Sequence, residues 1–265
     1  MRLKIFGCIL LLWMLAAIFG PLLPLNPNQI DLPNILSGPS MQHLLGNDEL
    51  GRPVLDRLIL GAQTSFLVAL WVVLVSAAFG TTLGAFAAYS GGMADQILVR
   101  IIDIFLAFPG ILLAIALSGV MGPGIDNVII ALSIVGWVGY ARLSRAQVLS
   151  LKHRDHIQAA IALGQGTGPI IRRHLLPLIM APLIIEATFG IAGVVIAEAG
   201  LSFLGLGVQP PAPSWGSMIR DGARYMLVAP HLVLAPGLCI MLVVLSINLL
   251  GDRLRDRLDV KSPDG

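Results

Sequence analysis

Long uninterrupted apolar runs, not short alternations, organise this chain. No Asp, Glu, Lys or Arg occurs in residues 5–30, 58–94, 104–125, 127–141, 199–219 or 225–251. A bilayer-crossing helix needs about 20 mainly apolar residues. Trimmed at their Gly, Pro and Asn clusters, these runs predict helices near 5–23, 65–90, 97–121, 126–141 and 232–250. A further apolar stretch, 178–200, is interrupted only by Glu186 and Glu198, which brings the expected number of spans to six. The pattern predicts an all-α integral membrane protein: an anchor at 1–24, an external segment at 25–64, a five-helix core at 65–251 and a tail at 252–265.

The first run follows Arg2 and Lys4 but is longer than a signal peptide's apolar region and lacks an Ala-x-Ala site, so it reads as a retained anchor. With the N-terminus inside, thirteen of the 17 Lys and Arg fall in inner segments, against Arg52, Arg57, Arg220 and Arg224 outside. Retained positive charge marks the cytoplasmic side, so both termini are expected there. Tyr89, Tyr140 and Tyr225 fall near span ends, where amphipathic rings prefer to sit. Between the spans, Leu44 to Leu60 reads as a short helix on the outer surface. Residues 142–177 form a basic inner segment, and 201–231 an outer one in which Pro210, Pro211 and Pro213 forbid a continuous helix.

Composition sharpens the membrane reading. The 265 residues are 56% hydrophobic and 12% charged, with a mean hydropathy of +0.86, against about 25% charged in soluble domains. That excludes a soluble enzyme, a disordered linker and a nucleic-acid binder, and a net charge of +2 points to no polyanion partner. Cys8 and Cys239 lie in apolar stretches and read as small buried hydrophobes. Ser76, Gly80, Gly84 and Ala88 recur every four positions, the spacing of a close helix–helix contact.

Chemistry-bearing motifs are scarce. The chain has no phosphate-binding G-x-x-x-x-G-K-[ST] loop, no H-E-x-x-H and no G-x-S-x-G. His153 and His156 share a helix face among Lys152, Arg154 and Asp155 and read as solvated loop residues, so neither a catalytic residue nor a metal ligand is assigned. Arg100 and Asp103, three residues apart, are expected to form a local ion pair. Glu186, deep in the fifth span, and Glu198, near its outer end, are the acids expected to line a translocation path or to pair with a neighbouring helix.

The inner segment contains Gln158-Ala159-Ala160, then Gly164, then His174-Leu175-Leu176-Pro177. This reads as helix, turn, helix: the alanines favour helix, Gly164 supplies a positive-φ stop and Pro169 begins the next helix. In this spacing the chain resembles the permease subunits of binding-protein-dependent ABC importers, with Gln158 where the family has Glu and His174 where it has Ile. The resemblance extends to the oligopeptide, dipeptide and nickel branch through Leu44 to Arg52, Arg100 to Asp103 with Phe108-Pro109, Leu201 to Gly216 and Asn248 to Asp256.

That resemblance implies a non-catalytic permease subunit of the bacterial inner membrane that imports dipeptides or oligopeptides, or nickel complexes. It implies a second, similar permease, two ATPase subunits that bind the ATP and Mg, an external solute-binding protein, and no cofactor on this chain. A coupling helix seated on an ATPase would involve Asp155, His156, Gln158, Ala159, Ala160, Gly164 and Pro177. A secondary transporter or channel is the rival, but it gives no role to the Gln158 to Pro177 hairpin. An intramembrane enzyme would need a nucleophile and base at matched depth, and no such set is found.

Overall fold

Ten α-helices make up the computed structural model, which describes residues 2–258; the end of the expected tail, 259–265 with Lys261, lies outside the described residues. They are α1 (Arg2–Phe19), α2 (Val54–Ser90), α3 (Gly92–Leu106), α4 (Gly110–Met121), α5 (Ile125–Leu151), α6 (Asp155–Ala162), α7 (Thr167–Ile170), α8 (Leu176–Phe203), α9 (Trp215–Ala223) and α10 (His231–Leu258). Five helical segments are long and apolar enough to span a bilayer, and the count is six when the bent pair α3–α4 is taken as one span.

The central contact joins α2 to α5 along the small-residue stripe. Ser76 and Ala88 are buried, and a Cβ placed on Gly80 would run into the Trp137 carbonyl. One on Gly84 would run into the Ala141 carbonyl and the Ser144 hydroxyl. The two backbones therefore lie too close for any side chain at those turns. The far rim is held by Lys152, whose Nζ donates to the Ala88 carbonyl at 3.1 Å. On the other flank α1 packs against α2 and α10, with Trp13 meeting Phe66 edge to face at 5.5 Å between centroids.

Several sequence expectations change. The predicted 97–121 helix is broken: α3 and α4 meet at 84° across Ala107-Phe108-Pro109. Pro109 has no N–H and disfavours helical backbone at Phe108, which ends α3. The surface helix expected over 44–60 does not form; Gly46 and Gly51 have φ of 71° and 75°, and helix starts only at Val54 and runs straight into the span. The fourth span does not stop at 141, because α5 carries Arg142 and Arg145 onward to Leu151; charge ends an apolar run without ending a helix. Arg100 and Asp103 form no ion pair among the described residues, whereas Arg145 grips Asp95 of α3 through bonds of 2.6 and 2.7 Å. Tyr140 is not interfacial but 4% exposed, inside the bundle.

Candidate functional site

Two sites stand out: the hairpin of α6 and α7, and the cavities around Glu186. In the hairpin, α6 is short and amphipathic. Ile157 is buried against Val148, Ile170, Leu175 and Ile179 and Ala160 is buried as well, while Asp155, His156, Gln158, Ala159, Ile161 and Leu163 face outward. Asp155 opens the helix, where a carboxylate complements the positive end of the dipole. At the other end Gly164 has φ 80°, with its N–H donating to Ile161 O at 2.9 Å and Gln165 N–H donating to Ala160 O at 3.1 Å. This is a Schellman stop, which requires a left-handed residue at Gly164.

The two positions that depart from the family pattern both make bonds within the loop. Gln158 Nε2 donates to the Lys152 carbonyl at 3.0 Å, a bond that a carboxylate cannot donate. His174 Nε2 lies 3.0 Å from Gln165 Oε1. A π-helical turn, Ile171–Leu175, then joins α7 to α8, and Pro177 sits exposed in the first turn of α8.

The two intramembrane acids have different surroundings. Glu198 is 1% exposed and accepts from Ser65 Oγ at 3.0 Å and Ser202 Oγ at 2.7 Å, so it clasps α2 to α8. The segment that follows packs over this clasp. Ser214 and Ser217 form a reciprocal capping box for α9, and Trp215 Nε1 donates to Leu58 O at 2.9 Å. Glu186 borders two cavities, one of about 300 Å³ reaching Ser76, Tyr140 and Gly190 and one of about 830 Å³ reaching Asp103 and Arg142.

Sequence reasoning missed Tyr140 as a cavity residue, since its position near an apolar run's end suggested an interface. It also missed a cluster at the α9 end. There Arg52 Nε meets Asp48 at 2.6 Å, Arg52 Nη2 meets Glu49 at 2.9 Å and Arg57 Nε approaches Asp48 at 3.5 Å. Burial of Glu49, the largest influence on it, raises its pKa above the usual value of 4.5. Spacing of four between Asp48 and Arg52 was the available signal.

A multi-pass helical membrane protein with an exposed helical hairpin between two of its spans is the class that these features define. Comparison with known proteins agrees. Residues 80–261 match the model of the binding-protein-dependent transport system inner membrane component family. The chain is 45% identical over 262 residues to the dipeptide transport system permease protein DppC of Alkalihalophilus pseudofirmus, covering 98% of this chain and 86% of that one. It is 44% identical over 234 residues to the glutathione transport system permease protein GsiD of Pectobacterium atrosepticum, covering 88% of this chain and 78% of the relative. Its fold is that of a chain in the inward-facing MetNI methionine ABC transporter, with a TM-score of 0.62, 20% identity, and coverage of 78% of this chain and 98% of that one. This chain belongs to the binding-protein-dependent inner-membrane permease family, in its peptide and nickel branch. It is a multi-pass inner-membrane component and not itself a catalyst.

Proposed function

We propose that this chain forms half of the translocation pathway of an ATP-driven importer of small peptides, and that α6 couples it to an ATPase subunit. The observation that carries the coupling role is the exposed, Schellman-stopped α6, anchored by Ile157 to the packing around α5 and α8. A helix fixed at its base and small at its tip suits a groove on a motor, because a motor biases two permease states only through differential contacts.

Both termini and α6 then lie on the cytoplasmic side, and α9 with the 25–53 segment faces the solute-binding protein. Partners are a second permease, two ATPase subunits carrying ATP and Mg, and membrane lipid. The names of the dipeptide and glutathione relatives support short peptides as cargo over nickel complexes. Within the membrane we assign the path role to Glu186, while Glu198 holds α2 and α8 together.

Reconstitution tests the proposal. The chain, copurified with its partner permease and ATPases, should take up dialanine into liposomes only when ATP and the cognate binding protein are both present. Uptake without ATP, by this chain alone, would make it a secondary transporter, and uptake of nickel in place of peptide would move the substrate.

A further inference from the structure

Glu186 stands in the bundle with no ion pair among the described residues, although it lies in a span where an uncompensated carboxylate is costly. Across the 300 Å³ cavity, Tyr140 is only 4% exposed, and its hydroxyl has no hydrogen-bond partner among the described residues. An unsatisfied buried hydroxyl is rare and expensive, so a polar guest is called for.

Glycines keep the space around both oxygens open. A Cβ on Gly139 would stand 3.1 Å from Glu186 Oε1, and one on Gly190 would stand 2.7 Å from the Tyr140 hydroxyl. Glu186 and Gly190 are one turn apart on α8, and Gly139 and Tyr140 are adjacent on α5, so the two helices present an acid and a phenol to one gap. An acceptor-only carboxylate beside a hydroxyl that can also accept matches a multi-donor cation. The larger cavity adds Arg142, of opposite sign, alongside Asp103 and the Asp95-paired Arg145.

We propose that Glu186 and Tyr140 form a transient binding point for the primary ammonium group of the translocated peptide, its N-terminus, with Arg142 toward its carboxylate end. This rests on the import function proposed above. It assigns Glu186 a ligand, and Tyr140 a place beside it.

The test compares uptake of dialanine with that of N-acetyl-dialanine in liposomes holding the complete transporter, each at saturating binding protein and normalised to assembled complex. The ratio of the two rates is measured for wild type, Glu186→Gln and Tyr140→Phe; comparing ratios removes the binding protein's own preference. Loss of one charge-assisted bond should lower the ratio about tenfold in Glu186→Gln. Loss of a neutral bond should lower it about threefold in Tyr140→Phe, which keeps the ring packed. Equal loss for both peptides would overturn the inference, since Glu186 would then serve a partner-subunit contact; so would unchanged ratios. In those two cases import of dialanine by the wild type stands. If the wild type imports neither peptide, the import function falls and the ammonium site with it.

Discussion

Replacing Gly164 with valine isolates the contribution of the α6 stop. No atom lies within 4 Å of a Cβ built on Gly164, so the substitution adds no clash. Its whole effect comes from φ, which at 80° costs an L-residue about 1–2 kcal/mol, with β-branched residues at the upper end. Relieving that strain means breaking the Gly164–Ile161 and Gln165–Ala160 bonds, which shifts the ordered stop by about 5- to 30-fold toward frayed conformations. Because α6 spans only Asp155–Ala162, fraying of its last turn removes the surface carrying Ile161 and Leu163. Amide exchange at Gln165 should accelerate by the same factor, and peptide uptake per ATP hydrolysed should drop. Gly164→Asn, which tolerates left-handed backbone, should recover most of both. If Gly164→Val keeps wild-type exchange at Gln165 and wild-type uptake per ATP, the stop does not hold α6 in its working shape.

Further expectations concern packing and charge. Gly84→Leu pushes a side chain into the backbone of α5 and should cost at least about 3 kcal/mol, seen as lost thermal stability in detergent. Arg52→Ala leaves Asp48 buried without its main partner and should cost about 3–5 kcal/mol, whereas Arg220→Ala, breaking the more exposed pair with Asp221, should cost under about 1 kcal/mol; melting curves of the two variants check the contrast. Gln158→Glu, the residue typical of the family, should weaken the α5–α6 turn by about 1 kcal/mol, because a carboxylate cannot donate to the Lys152 carbonyl, and exchange at Arg154 and Ile157 should report it. Glu49 binds its proton more tightly folded than unfolded, so its contribution makes stability fall as pH rises from 4.5 through the raised folded value; Glu49→Gln should flatten that slope in pH-dependent melts.

What the sequence disclosed follows from what one-dimensional patterns encode. Apolar run length reports bilayer crossing directly, so the spans containing Trp13, Val72, Leu132, Val195 and Val243 were all placed. The stripe Ser76, Gly80, Gly84, Ala88 disclosed a tight contact because only small residues permit one, though not that its partner is α5. Run length cannot distinguish a straight span from a bent one, and Phe108-Pro109 turned out to be a corner. Charge marks where apolar sequence stops but not where helix stops, hence the missed extension of α5 through Arg145. Glu186 and Glu198 look alike in sequence; only the hydroxyls of Ser65 and Ser202, from distant and adjacent turns, separate a clasped acid from an open one.

The interlock of α2 with α5 bears on how motion passes through the molecule. Two helices whose backbones touch at Gly80 and Gly84, and whose rims are tied by Lys152, form a stiff strut with little compliance in shear. Only Lys152, His153 and Arg154 separate the end of α5 from α6, so a displacement of α6 is delivered to the strut with almost no slack. The 84° corner between α3 and α4, by contrast, has three non-helical residues, 107–109, in place of continuous helix. Stiffness along the chain is thus set by the seam of α2 with α5 and interrupted at residues 107–109.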